Sequence, residues 1–481
     1  MSKHTSSPNI VVIKTDQQRT DTIAAQGNDH MITPNLDRLS NESVNFTNAF
    51  CCGATCISSR AAFYTGLYPH NSECYSFDKW SHHRSWLHEI RDAGYQTAAI
   101  GKVHHNPKDA MMAYDERVYV ENFPEMKGGH DDYANYLKAE GQENYCKVLT
   151  QDGKWWEKCA SNVFPLEEKY HPDNYVGRMA KRWIDDYEGD SPFYLHIGFQ
   201  GPHDPFAPSS RFLEMYEDRE IPSHHIDEKG LDYRPTYYRK RKAKGGWESR
   251  EREAREGHNR WIKPPAHGAS GLDLSDKTEE DIRRMRRHYY AQITQIDEQI
   301  GEILASLEEK GLIENTIILF TSDHGENLGD HGLAYKWVMT EQVVNIPMLV
   351  RLAGAQRGGT MDNNLFTHMD VGPTLLDALG LDIPQALDGQ SNWQRLVNGD
   401  SSEAPERVYC EDNHLTMVRS MNRKLIMYTG EDDEEYFNLK VDPWEENNLV
   451  NEPAYQEELQ QMKMEACEWL MASRYQYTRH N

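Results

Sequence analysis

A chain of 481 residues, 38% apolar and 27% charged, is long enough to bury a large core with a smaller appended domain, and too apolar to remain disordered. Its net charge of −25 excludes a general binder of nucleic acid or anionic membranes, since both need a basic field; an anionic substrate must find a local basic pocket. No run approaches the roughly 18 apolar residues of a membrane span, and the start MSKHTSSPNIVV has no apolar core ahead of a small-residue cleavage site, which places the chain as written in the cytoplasm, or in the periplasm or outside the cell if a leader was removed.

Residues 9–15 (NIVVIKT) form a β-branched run ending in Asp16, the pattern of a buried parallel strand that delivers a polar residue at its C-terminal end. Open α/β sheets keep their chemistry at that end. Strand-length apolar runs follow at 96–100, 193–199, 316–321 and 347–351, with helical patterns at 34–39, 86–91 and 175–187 between them. The alternation predicts an α/β fold: a large, mostly parallel sheet flanked by helices. Residues 202–275, rich in Pro, Gly, Tyr and charge, read as a long surface insertion with short elements of its own. Its tract Tyr238-Arg239-Lys240-Arg241-Lys242 is either a solvated face or a wall of an anionic-substrate cleft.

The clearest helix covers 279–307, where Ile282, Met285, Tyr289, Ile293, Ile296 and Ile300 recur three or four apart, and Gly311 follows its end. Beyond residue 380 come strand-like pieces at 407–410, 415–419 and 424–428, an acidic run at 431–435 and a last helix at 454–471. The expected division is an N-terminal α/β domain over 1–380 and a smaller C-terminal α+β subdomain over 381–481. The eight cysteines form no disulfide framework and no CxxC pair, so reduced thiols are expected.

Four clusters place Asp, His or Lys just past a predicted strand: Asp16-Gln17, Gly101-Lys102-Val103-His104-His105, Gly201-Pro202-His203-Asp204-Pro205 and Ser322-Asp323-His324-Gly325. The first and last offer oxygens and an imidazole to a hard divalent cation, although an Asp at a strand end serves equally as a helix cap or turn former. Alternation puts Lys102 and His104 on one side of an extended segment, and two prolines fix the direction of His203. With Lys336 following Asp323 and His324, these groups make a pocket for a tetrahedral anion, with cations to neutralise it, a metal as Lewis acid, and His and Lys for proton transfer.

A nucleophile is offered by 51–70 (CCGATCISSRAAFYTGLYPH), where Cys56 competes with the plain reading of a buried, inert thiol. Cys51 and Cys52 read as packing residues, and His105 and His331 as turn or supporting residues.

Cys56-Ile57-Ser58-Ser59-Arg60, followed by Ala61-Ala62-Phe63-Tyr64-Thr65-Gly66, resembles the signature of the formylglycine-dependent type I sulfatases of the alkaline-phosphatase-like superfamily. The other clusters occur in that family's order. Residues 9–21 resemble its opening strand and metal site, 33–39 (TPNLDRL) its next helix, and 101–104 and 201–205 its Lys-x-His and His-x-Pro stretches. Residues 369–376 (MDVGPTLL), 436–439 (YFNL) and 442–445 (DPWE) resemble pieces of its C-terminal subdomain.

The resemblance implies the alkaline-phosphatase-like fold and hydrolysis of a sulfate ester. It implies that a formylglycine-generating maturation enzyme oxidises Cys56 to formylglycine, that one hydroxyl of the hydrated aldehyde attacks sulfur, and that a base acting on the other expels sulfate. By the same resemblance Asp16, Gln17, Asp323 and His324, together with hydrated Cys56, hold one divalent metal, calcium first, with manganese and magnesium as alternatives. Arg60 and Lys102 stabilise the hydrate and the sulfate, His104 is the base, and His203 and Lys336 bind sulfate and help the departing alcohol gain its proton.

Two positions depart from the family's common pattern. Gln17 stands where a second acid is usual, removing a negative charge, and Ser58 stands where proline is usual. Gln17 brings the chain toward the phosphonate monoester hydrolases, so a phosphonate monoester or phosphodiester is the alternative substrate. A non-catalytic sulfated-glycan binder with unmodified Cys56 is the alternative of another class. Tyr237, Tyr238, Trp247 and Trp261, set among Arg and Lys in the insertion, favour a sulfated carbohydrate, small or oligomeric, and a place in polysaccharide degradation. Neither a nucleic-acid nor a membrane partner is expected.

Overall fold

Strand β1 (Asn9–Thr15) is buried at every residue, as its β-branched run requires, and lies inside an eight-stranded sheet. The other strands are β2 (Val44–Phe50), β3 (Gln96–Gly101), β4 (Glu116–Tyr119), β5 (Phe193–Gly198), β6 (Thr316–Ser322), β7 (Met348–Arg351) and β8 (Thr360–Thr367), in the order β4-β3-β5-β1-β6-β7-β2-β8. Of these eight, β7 runs against the rest, antiparallel to both β6 and β2. The computed structural model describes residues 7–75, 79–105, 107–121, 130–150, 155–189, 191–225, 272, 274, 276–412, 415–429 and 434–480.

The period of two along β1 divides the core. Val11 and Ile13 face one layer with Leu36 and Leu39 of helix α1 (Pro34–Asn41), and Ile10 and Val12 face the other with Ile57 and Ala61 of α2 (Cys56–Thr65). The first layer is completed by α3 (Pro172–Asp186) and α4 (Glu279–Glu309), the second by α5 (Val371–Ala378). Helix α4 starts at a capping box between Thr278 and Asp281 and lays Ile296, Ile300 and Ile303 against the sheet layer.

The C-terminal strands β9 (Val408–Asp412), β10 (Leu415–Arg419), β11 (Arg423–Tyr428) and β12 (Glu434–Asn438) form an antiparallel sheet in the order β12-β11-β10-β9. Its Met417 and Ile426 join the main core, while Val418, Leu425 and Tyr436 on the other face pack on Leu459, Met462 and Ala466 of α6 (Gln456–His480). The architecture is the expected one: a large, mostly parallel sheet flanked by helices, with an α+β piece at the C-terminus.

The run at 347–351 is β7, and the last helix extends to His480. Strands β2, β4, β8 and β12 carry no apolar alternation strong enough to predict them; β8 (TMDNNLFT) is an edge strand with its polar half partly solvated. The tract 238–242 and the aromatic residues Tyr237, Tyr238, Trp247 and Trp261 lie outside the described residues. Among the described residues, no helix is long and apolar enough to cross a membrane.

Candidate functional site

Thr15 pairs with Ser322 at the end of β1 and β6, so the next residues of both strands, Asp16 and Asp323, leave the sheet side by side. A ligand atom from each of Asp16, Asp323 and His324 lies within 4.8 Å of the others, and all three side chains are buried.

Cys56 opens helix α2, where unpaired backbone N–H groups and the helix dipole favour a thiolate, and Arg60 stands one turn later on the same face. The fully buried Arg60 guanidinium ties the carboxylates together: Nε donates to Asp323 Oδ2 at 2.8 Å and Nη2 to Asp16 Oδ2 at 3.1 Å. Its Nη1 donates to the Lys102 carbonyl at 3.0 Å.

Lys102 arrives through a close backbone approach. Gly101 has φ 97°, and a Cβ on it would sit 2.0 Å from the Gly198 carbonyl; a Cβ on Gly198 would sit 2.1 Å from the Lys102 carbonyl. Two glycines therefore permit the Lys102 N–H to donate to Gly198 at 2.8 Å, and Lys102 Nζ then reaches Asp16 Oδ2 at 2.7 Å. The chain does not stay extended here: His104 is left-handed at φ 64°, and its N–H donates to Glu121 Oε1 at 3.2 Å. The alternation expected for Lys102 and His104 therefore does not apply. A turn directs the imidazole.

The 200–205 segment is anchored at its start, where the Gln200 and Gly201 N–H groups donate to Asp173 Oδ1 at 2.8 and 3.0 Å and the Asp16 N–H donates to the Gly201 carbonyl at 3.1 Å. His203 Nδ1–H donates to the Asp204 carbonyl at 2.7 Å, with Asp204 Oδ1 3.2 Å away. On the opposite side Lys336 Nζ donates to Gln17 Oε1 at 2.6 Å, and the Gln17 N–H donates to Asp323 Oδ1 at 2.9 Å.

Burial would raise Asp16, but Lys102, His203, Lys336 and Arg60 outweigh it and hold its carboxyl well below the usual range. Burial likewise disfavours the Lys102 ammonium, yet Asp16 keeps it above its ordinary value. The Cys56 thiol is lowered, burial being outweighed by Lys336 first, then by its neighbour His324 and by Lys102. Burial and then Lys102 push His104 down to about 3, so its imidazole is neutral near neutral pH. Burial and Lys336 also hold His203 neutral.

The cluster fits a hard divalent cation. His324 Nδ1–H donates to the Gly325 carbonyl at 2.8 Å, which leaves the lone pair on Nε2. That Nε2 and Asp16 Oδ1 are buried without a hydrogen-bond partner among the described residues, and two carboxylates with an imidazole suit such an ion.

Of the residues singled out by sequence around this site, Asp16, Gln17, Lys102, His104, His203, Asp323, His324 and Lys336 sit at the C-terminal edge of the parallel strands or on loops joined to it, and Cys56 and Arg60 sit in the first turns of α2. Three neighbours were not singled out. Lys14 is fully buried with Nζ 3.9 Å from the Phe63 ring centroid, and burial and then Arg60 lower it to about 7. Asp204 is raised to about 6 by burial. Glu326 receives a hydrogen bond from Gln17 Nε2. A carboxylate three residues past Asp323 was the available signal for Glu326; Lys14, hidden in an apolar strand, left none. Cys51 and Cys52 are buried in the core, and His331 lies in a turn at φ 56°.

The family model described as Sulfatase matches residues 8–381, and one described as N-sulphoglucosamine sulphohydrolase, C-terminal, matches residues 329–471. The chain is 28% identical to an arylsulfatase of Clostridium perfringens over 95% of this chain and 93% of that protein. It is 25% identical to an N-acetylglucosamine-6-O-sulfatase of Bacteroides thetaiotaomicron over 96% and 86%. The solved phosphonate monoester hydrolase of Agrobacterium radiobacter superposes with a TM-score of 0.76 at 22% identity, over 98% of this chain and 96% of that one, a likeness of fold.

Proposed function

We propose that this chain, which belongs to the sulfatase family and is a sulfuric ester hydrolase, removes sulfate from a sulfated carbohydrate through the residues gathered at the strand ends. Family membership implies a divalent metal and a formylglycine. The observation that carries the site assignment is Arg60, bonded to both Asp16 and Asp323 one helical turn from Cys56.

In this reading Asp16, Asp323 and His324, with the Gln17 carbonyl oxygen, hold the metal, calcium before manganese or magnesium. When bound, it supplies a Lewis acid toward the sulfate oxygens. Cys56 is the residue converted by the maturation enzyme, and the hydrated aldehyde supplies the nucleophile. Lys102, Lys336 and Arg60 neutralise the sulfate oxygens, in a site dry enough for each charge to count. His104, neutral in the resting enzyme, takes the proton whose removal releases sulfate. His203 has given its Nδ1–H to Asp204 and is neutral, so it stands ready to accept from the substrate side, while Lys336 brings a proton toward the leaving oxygen.

The neutral Gln17 supports one second reading, a phosphonate monoester or phosphodiester substrate, because the phosphonate monoester hydrolases are the relatives that resemble the chain at this position. Sulfate release from a panel of defined sulfated sugars, run beside an aryl sulfate and an aryl phosphonate, tests both. Turnover of a sulfated sugar above the aryl phosphonate is the expected result; a faster phosphonate reaction favours the second reading. Mass spectrometry of the Cys56 peptide from the native host is expected to show formylglycine, and a uniformly unmodified thiol would point to a sulfated-glycan binder.

A further inference from the structure

Glu326 is a fully buried carboxylate beside the cation site with no part in the reaction as described. Its Oε1 accepts from the backbone N–H of Leu328 at 2.9 Å and of Tyr335, and its Oε2 accepts from Gln17 Nε2. The Gln17 amide is thus held at both ends, since its Oε1 accepts from Lys336 Nζ at 2.6 Å. Turning a primary amide over exchanges its oxygen and nitrogen at almost no steric cost, so the neighbours choose its sense. With an acceptor on one side and an ammonium on the other, one sense satisfies both. The opposite sense would set N–H against ammonium and oxygen against carboxylate in a buried site, leaving each of those groups unsatisfied.

We propose that Glu326 is the positioning residue that turns the Gln17 carbonyl oxygen toward Lys336 and the Asp16–Asp323–His324 cluster, so that the two form a matched amide–carboxylate pair. An acid at position 17 would set a second buried carboxylate against Glu326 with no donor between them. The neutral residue at 17 and the carboxylate at 326 therefore belong together. The negative charge stands behind the site instead of within it. This inference rests on the cation-site reading of Proposed function.

The test exchanges the two groups. Ca2+ binding to metal-stripped protein, with Cys56 unmodified, is measured by calorimetry at pH 8. Glu326→Gln opposes two amide N–H2 groups, or turns Gln17 over against Lys336, and is expected to weaken Ca2+ binding at least about tenfold. Gln17→Glu alone, which sets two carboxylates face to face, is expected to weaken it similarly. The exchange Gln17→Glu with Glu326→Gln restores a donor–acceptor match, the acid at 17 accepting from Lys336 and from the amide at 326. It is expected to return the Kd to within about threefold of wild type.

Wild-type affinity in Glu326→Gln, or an exchange variant binding no better than the weaker single variant, would overturn the inference. If a single variant does not fold, the exchange variant decides: recovered Tm together with Ca2+ binding supports the pairing, and failure of either overturns it. A folded wild type that binds none of Ca2+, Mn2+ and Mg2+ would sink the cation-site reading and this inference with it.

Discussion

Two buried clusters of charge lie at the two ends of the segment from Asp323 to Glu341, and they are built from the same side-chain types. At the strand-end cluster Arg60 bridges Asp16 and Asp323, while Asp16 Oδ1 and His324 Nε2 make no hydrogen bond among the described residues. At the junction with the C-terminal sheet, Glu341 takes Lys424 at 3.0 Å and Arg419 at 3.1 Å, Lys424 takes Glu445 at 2.7 Å, and the Glu341 N–H donates to Glu445 at 2.9 Å. The junction completes its own charges and the strand-end cluster does not. A buried ion pair that closes on itself fixes one element against another, whereas one left with open lone pairs in the same low dielectric is a place for a ligand.

Substitutions that separate turnover from stability sharpen this contrast. Cys56→Ala is expected to lower turnover at least about a thousandfold in a sulfate-release assay, with Tm nearly unchanged, because it removes the nucleophile without opening a charge. A large loss of Tm would mean that Cys56 is a packing residue after all.

Arg60→Met leaves Asp16 and Asp323 without their shared cation, and denaturant melts of metal-stripped protein are expected to show a loss of about 3–5 kcal/mol. Saturating Ca2+ should recover part of it, since a bound ion supplies the missing positive charge and stabilises by mass action. The absence of any recovery would break the distinction between open and closed clusters.

Lys424→Met at the junction should cost up to about 3 kcal/mol in the same melts, with no recovery on adding Ca2+, and should lower turnover less than about tenfold. Recovery by Ca2+ there would place the junction on the ligand side of the comparison.

The smallest effect is in pH. Burial alone would raise Glu341, but Lys424 and Arg419 outweigh it and hold its carboxyl at about 2 against an ordinary 4.5. A depressed acid gives stability that is complete above its unfolded pKa and is lost as pH falls through its folded one. The contribution of Glu341 therefore fades from about pH 4.5 down to about 2, and Glu341→Gln should make the Tm–pH curve shallower in that window. An unchanged slope would show that the junction gains nothing from the charge.

Much of the strand-end cluster was legible because its pieces are local. NIVVIKT followed by Asp16, and TIILFT followed by Ser322-Asp323-His324, each carry a strand and its polar delivery within about ten residues. The same holds for helix α4, whose apolar stripe and Thr278–Asp281 cap lie on one stretch of chain. Strands β2 and β8 were not legible, because Asn and Thr residues interrupt them and their place depends on each other. Lys14 and Glu326 escaped for a related reason: the first looks like one polar residue in an apolar strand and the second like part of a polar loop until the fold closes around them.

By itself, then, the sequence determined the α/β alternation, the order of the clusters and the family signature at Cys56, all of which depend on spacing along one segment. The tertiary structure decided what depends on distance through space: that Arg60 holds Asp16 and Asp323 at once, that His104 turns left-handed instead of continuing a strand, and that Glu326 faces Gln17. Periodicity assigns a residue to a face. Charge, protonation and the sense of an amide are set by the atoms that packing brings within hydrogen-bond reach.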